Sequence, residues 1–269
     1  MARKHTTREA PGKSSAPRAR KRLKIGLYIN EDQAGILNLT KCLRNWDISF
    51  VSIRRDELVH LKPGDVDVLL LHGGWYGFEK KEPARQALHS FVQGGGGCIG
   101  ICCGAIVICR QKLIRTKDWY LAPSTGWMRM SIQTEKHPIV KGSLVADEKF
   151  MGRHVVPIVY FNGPHMVPEN SSTVVVGSYD PEGRVGSVLA DHYGQGRVVA
   201  FGPHPEKEQI DEVITTNEPL PRASLLLHNA LYWAARRRVP KRQWEFAKII
   251  NLHGSLRPVR EYKSLLPKS

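Results

Sequence analysis

Three short stretches of the chain carry residue types suited to acyl transfer. GICCGA (100–105) sets Cys102 at the centre of Gly100-Ile101-Cys102-Cys103-Gly104. GPHPE (202–206) supplies His204 and Glu206, two residues apart, and LHGG (71–74) ends in Gly73-Gly74. A thiol at a sharp strand-to-helix turn can attack a carbonyl, an imidazole can take its proton, and a carboxylate can orient that imidazole and stabilise its cationic form. Backbone N–H groups at glycine turns are suited to holding the oxyanion that forms. The expected catalytic set is therefore Cys102, His204 and Glu206, with Gly73, Gly74 and the Cys103 amide as oxyanion donors.

G-x-C-x-G is the cysteine analogue of the G-x-S-x-G elbow, in which small residues on either side let strand and helix approach while the central side chain is forced outward. The amino terminus of the helix that follows is expected to favour the thiolate through its unpaired N–H groups. Choosing Cys103 instead would flank the nucleophile with Ile101 and Ala105, a worse steric fit, so Cys103 reads as a packing residue of the first helical turn. Cys98 and Cys109 read as small buried apolar groups. Asn162, His165 and Tyr160 are candidates for lining a pocket opposite Cys102, and Asn162 is carried forward as a substrate contact. Trp75 and Tyr76 are candidates for its wall. His72 reads as structural.

These groups need a scaffold that brings strand ends together. KIGLYIN (24–30), ISFVSIR (48–54), VDVLLLHGG (66–74) and CIGIC (98–102) are short apolar strands. AGILNLTKCLRNW (34–46), with Asp32 available as a cap, and PARQALHSFVQ (83–93) have helical spacing. Apolar strands alternating with helices imply parallel strands joined by right-handed crossovers, hence a doubly wound sheet covered on both faces. From about residue 111 to 200 the pattern changes to extended pieces (YLAPS, VVPIVYFNG, STVVVGSYD, SVLADHYG, GRVVAFGP) separated by turn signals, which predicts an antiparallel extension. PRASLLLHNALYWAARRR (221–238) closes the domain as a helix, because Ala223, Leu226, Leu227, Ala230, Leu231 and Ala234 share one face.

Composition narrows the class further. With 41% hydrophobic and 24% charged residues, the 269-residue chain is neither wholly disordered nor a disulfide-stapled miniature. No apolar run approaches the ~18–20 residues of a membrane helix, and no signal-like apolar stretch follows the basic start, so a soluble, cytoplasmic protein is expected. Five cysteines, four of them within twelve positions, make a poor disulfide framework, and no spacing suits structural zinc. GxxxxGK[ST] and GxGxxG are absent, and the chemistry above needs no metal or cofactor.

The net charge of +15 resides in the ends: residues 1–24 hold nine Lys/Arg against Glu9, residues 236–269 hold ten against Glu245 and Glu261, and the body between carries −1. A basic groove on the folded body is therefore not expected. The chain divides into a disordered basic tail (1–23), one domain (24–239) and a basic extension (240–269). RARKRLK (18–24) also allows a nuclear address, and the tails allow weak polyanion contact. Pro11, Gly12 and Pro17 spoil the helix of an organelle presequence, and a solvated tail without a specific role is the simplest account.

LHGG, GICCGA and GPHPE, in this order, resemble the class I glutamine amidotransferase-like superfamily. HPIVKG (137–142) and VYFNGPHMV (159–167) within residues 24–235 are similar to the domain at the amino terminus of biotin-protein ligases. The resemblance implies a flavodoxin-like sheet and a Cys-His-Glu triad acting on a small amide or ester. Two departures stand out. Gly104-Ala105-Ile106 replaces the G-x-Q that glutaminases of the superfamily usually carry after the elbow cysteine, and no biotin ligase module is present. A catalytically inactive binding or regulatory domain of the same fold is the alternative.

Overall fold

A computed structural model describes residues 22–29, 34–74, 82–144, 149–169, 171–207 and 221–240. Asp32, Trp75, Tyr76 and most of both basic segments lie outside these residues. The elements in chain order are β1 (Lys24–Tyr28), α1 (Ala34–Asn45), β2 (Ser49–Ile53), α2 (Arg55–Leu58), β3 (Val68–Leu71), α3 (Glu82–Gln93), β4 (Gly97–Ile101), α4 (Cys103–Arg110), β5 (Thr116–Leu121), β6 (Thr125–Ile132), β7 (Lys149–Phe150), β8 (Arg153–Phe161), β9 (Pro164–Pro168), β10 (Val174–Ser178), β11 (Gly186–Tyr193), β12 (Gly196–Phe201) and α5 (Pro221–Ala234).

The sheet runs β2-β1-β3-β4-β12-β11-β10-β6-β8-β7, with β9 pairing β11 and β5. Its first five strands are parallel, in the flavodoxin-like order 2-1-3-4-5 when β12 is counted as the fifth. From β11 onward the pairings are antiparallel. β3 and β4 are buried throughout, as strands covered on both faces must be.

Alternation along these strands divides the core in two. Val68, Leu70, Ile99, Ile101, Val199 and Phe201 join α1 and α5 on one face. Leu69, Leu71, Cys98, Val198 and Ala200 join α3 and α4 on the other. The sheet is thus doubly wound. All six apolar positions expected on α5 are buried, and the helix ends at Ala234, four residues before the end of the periodic stretch.

The antiparallel extension includes three strands that the extended pieces above do not contain, β6, β7 and β9. In β6, Met128, Met130 and Ile132 are buried and alternate with Arg129 and Ser131. That period of two is a strand signal, muted because methionine lacks the branched or aromatic shape favoured in sheets. HPIVKG forms a 3-10 turn at Pro138–Val140 whose carbonyls receive α5: Asn229 Nδ2 donates to Ile139 O at 3.0 Å and to Lys141 O at 2.8 Å. Its role in the fold is to fasten α5 to the sheet.

Candidate functional site

The site forms where β3, β4 and β12 end at the same level, since Leu71 is in register with Gly100 and Phe201 with Ile101. Beyond β4 the chain turns at Cys102, whose backbone lies at φ 53°, ψ −112°. This conformation is sparsely populated by L-residues and costs about 1–3 kcal/mol. It is held by three backbone bonds: Cys102 N–H to Phe201 O at 2.8 Å, and Ala105 and Ile106 N–H to Cys102 O at 3.0 and 3.1 Å. The flanking glycines are sterically required. A Cβ on Gly100 would fall 2.3 Å from Gly104 O, and one on Gly104 would fall 2.3 Å from Leu71 O. The strain and the close approach are those of a sharp strand-to-helix elbow centred on Cys102.

Beyond β12, His204 N–H donates to Val159 O of β8 at 2.7 Å, so the antiparallel extension positions the imidazole. Its Nδ1 lies 2.7 Å from Glu206 Oε1, and both side chains are almost fully buried. With the carboxylate accepting from Nδ1–H, Nε2 carries the lone pair. That nitrogen is buried without a hydrogen-bond partner among the described residues. Gly73 lies between the two halves: a Cβ placed there would come within 2.9 Å of His204 Cε1 and 3.5 Å of Cys102 Cβ. Elbow, imidazole and glycine turn therefore converge. Gly74 follows at φ 123°.

The thiol is not engaged with His204. Cys102 Sγ–H donates to Phe161 O at 3.4 Å. A hydrogen bond shared with the Cys103 side chain, then burial, then the charges of Cys103 and Glu206 push the Cys102 thiol well above the ordinary thiol range; only the Cys103 backbone N–H works the other way. The thiolate preference expected from the start of α4 is therefore outweighed, because burial penalises the ion and the neighbouring groups add to that penalty. Cys103, half-buried, packs against both core faces. All five cysteines are free thiols.

The residues expected opposite Cys102 divide differently. Asn162 is exposed at φ 49°, and its Oδ1 accepts from Ser124 N–H at 2.8 Å, so its side chain shapes the β8–β9 turn. Tyr160 and His165 are buried. The Tyr160 hydroxyl reaches Ala122 O and Gly163 O at 2.8 and 2.7 Å, and His165 stacks on Tyr179 with centroids 3.8 Å apart. Fully buried His72 has Nδ1 against Gly73 O. Ile106, at the position where glutaminases carry glutamine, is also buried.

Sequence reasoning missed three contributors. Phe161 presents its carbonyl to the thiol and its ring edge to His204, 6.4 Å between centroids. Val159 anchors His204, and Cys42 Sγ on α1 lies 3.9 Å from Glu206 O. The stretch YFNGP contains Phe161, but no local pattern shows that a main-chain oxygen 59 positions away will meet Cys102.

No protein-family model matches this chain, and no curated protein matches it significantly. Solved structures match in fold. A Thermoplasma acidophilum protein described as a GMP synthase component superposes with a TM-score of 0.54 at 14% identity, covering 87% of this chain and all of that one. A Thermotoga maritima glutamine amidotransferase gives 0.50 at 13%, covering 86% and 96%. A ThuA-like protein from Bacteroides uniformis gives 0.51 at 15%, covering 82% and 94%. The chain has the class I glutamine amidotransferase-like fold.

Proposed function

We propose that this protein is a cysteine-dependent hydrolase or amidotransferase acting on a small amide or ester through a covalent Cys102 intermediate. The observation that carries this reading is the convergence on Gly73 of a strained cysteine elbow and an imidazole whose Nδ1 is held by a buried carboxylate. Hydrogen bonds of this kind are often long or misaligned before substrate enters. The reading requires Sγ to turn away from Phe161 O and toward His204 Nε2 when substrate binds.

The sulfur then attacks the carbonyl carbon while Nε2 takes the thiol proton. The tetrahedral oxyanion is met by amides of the Gly73-Gly74 turn and Cys103. Collapse expels the amine or alcohol, which receives the proton from His204, leaving a thioester on Cys102. Water, or an acceptor amine, deprotonated by the same imidazole, releases the acyl group and restores the thiol. Glu206 stabilises the imidazolium in both halves. Because the resting thiol is held protonated, the proton must move during attack, and no standing thiolate is used.

Within the superfamily we assign the chain to the biotin-protein ligase amino-terminal type on the strength of HPIVKG and VYFNGPHMV, without biotin ligase activity. Ile106 in the glutamine-contacting position and the upward shift of the Cys102 thiol favour a second reading, a binding domain that keeps the triad geometry without turnover. Incubation with 4-nitrophenyl acetate, followed by intact mass and peptide mapping, separates the two. One acetyl group per chain on Cys102, lost in Cys102→Ala and greatly slowed in His204→Ala, supports the enzyme. Acetylation that is unaffected by His204→Ala overturns it.

A further inference from the structure

A second group of basic side chains gathers where α5 ends against the sheet. β11 and β12 run antiparallel with His192 directly opposite Arg197. Alternation along the two strands puts both side chains on the face of Val188, Ala190, Val199 and Phe201, which α5 covers. There they meet Trp233, a buried residue in the last turn of α5. The Arg197 guanidinium carbon lies 5.0 Å from the indole centroid, and the His192 ring lies 5.7 Å from it. The His137 ring, just before the 3-10 turn, stands 5.2 Å from the same indole. The end of the helix is fixed at this place: Arg237 Nη2 donates to both carboxylate oxygens of Asp67 at 2.9 and 3.0 Å, and Asp67 Oδ2 also accepts from Lys24 N–H at 2.8 Å. Arg197 lies four residues along β12 from Phe201, about 13 Å at the rise of a strand, so the cluster is separate from the Cys102 end.

This cluster lacks a counter-charge. Among the described residues, no carboxylate forms an ion pair with His137, His192 or Arg197. Asp191, next to His192 in sequence, is taken by Arg115 at 3.2 Å on the opposite face. Burial first, and then the charge of nearby Arg236, lower Arg197 from the ordinary arginine value. Basic side chains set directly opposite one another do not support strand pairing. The donors are also incompletely used. Arg197 Nη1 donates to Trp233 O at 3.0 Å, which fixes the guanidinium, while its Nε is buried without an acceptor among the described residues. His137 Nδ1 accepts from Ile139 N–H at 3.3 Å, so the neutral ring carries its proton on Nε2 and presents a further donor. His192 is exposed at the rim. Three segments therefore bring donors and positive charge to one indole without the acceptor that would match them.

We propose that His137, His192 and Arg197 form a binding site for a phosphate-type oxyanion, carried either by free phosphate or by an organic phosphate monoester. The guanidinium fork matches phosphate oxygens, and hydrogen bonds between charged partners are the strong ones. The two imidazoles come from two other segments, so donors reach the ligand from several directions, which suits a tetrahedral group better than a flat carboxylate. The oxyanion supplies the counter-charge and the acceptors that the cluster lacks. This inference is independent of the acyl-transfer reading.

The test is calorimetric titration of the full chain with inorganic phosphate, phenyl phosphate and acetate, all at one ionic strength so that screening of the basic ends stays constant. The expected result is saturable binding of one phosphate group per chain. Arg197→Gln should weaken it about 10- to 100-fold, the worth of one charge-assisted hydrogen bond, and His192→Gln about 3- to 10-fold. Because His192 is exposed, its variant should keep the urea-unfolding stability of the parent, so weaker binding there reports the site even where Arg197→Gln disturbs the fold. Phenyl phosphate bound more tightly than phosphate supports the site with a phosphorylated molecule as its ligand, and phosphate bound at least as tightly supports it with the free anion. Absence of saturable binding, or an affinity left unchanged by either substitution, overturns the site. Acetate bound as tightly as phosphate overturns the choice of ligand.

Discussion

The two ends of the parallel sheet put charged and polar groups to opposite use. At the carboxyl ends of β3, β4 and β12, Cys102, His204 and Glu206 are nearly water-free, and each interaction is a single short bond in a low-dielectric setting. At the amino ends, exposed arginines and lysines surround Asp67, and solvent screens each of them. Burial makes the first end sensitive to one atom, whereas the second acts only through the sum of its charges.

The largest effects are expected at the buried end. Cys102→Ala should abolish acyl incorporation, and His204→Ala should slow it about 10²- to 10⁴-fold, the usual worth of a general base. Glu206→Gln keeps the shape but removes the charge facing the imidazole. It should slow acylation about 10- to 100-fold, the worth of one charge-assisted hydrogen bond. Iodoacetamide labelling of Cys102 in the folded protein should keep rising past the ordinary thiol value of ~8.5 without a plateau, because its folded-state shift is upward. A plateau at or below that value would show that burial does not hold the thiol protonated.

Packing at the same end comes next. Gly104→Ala places a Cβ against Leu71 O and should lower urea-unfolding stability by about 1–3 kcal/mol. At the opposite end, Asp67→Asn should cost only about 1 kcal/mol, since the Asp67–Arg237 pair is partly solvated. An Asp67→Asn cost exceeding that of Gly104→Ala would reverse the comparison.

Burial should also leave a mark on acid stability. His137 is pushed down to about 4 by burial first, then by Arg197 and His192. The unfolded chain, with an imidazole near ~6.5, therefore binds the proton first. The stability contributed by neutral His137 is complete above that value and is lost as pH falls toward 4. Allowing for its partial exposure, the loss is about 1 kcal/mol. His137→Asn, which keeps an acceptor for Ile139 N–H, should flatten this part of the stability profile measured by urea unfolding between pH 7 and 4.5.

Much of the parallel half was legible because its signals are local. Unbroken apolar runs such as VLLL mark strands covered on both faces, the stripe on α5 marks its buried side, and glycines two places either side of Cys102 mark the elbow. The HPE stretch was legible for the same reason, since His204 and Glu206 lie two residues apart and meet directly. The extension was less legible. β6 places methionines where β-branched residues would announce a strand, and nothing near Asn162 in sequence shows that its Oδ1 will accept from Ser124 N–H.

Residue order alone determined the class of architecture, the identity of the elbow cysteine and the imidazole–carboxylate pair, because each depends on neighbours a few positions apart. Tertiary structure decided that Phe161 O holds the thiol, that Val159 O anchors His204, that burial and Cys103 outweigh the helix terminus, and that Lys24 and Arg237 share Asp67. All four arise from contacts between segments distant in sequence, whose distances and dielectric surroundings exist only once the sheet has closed.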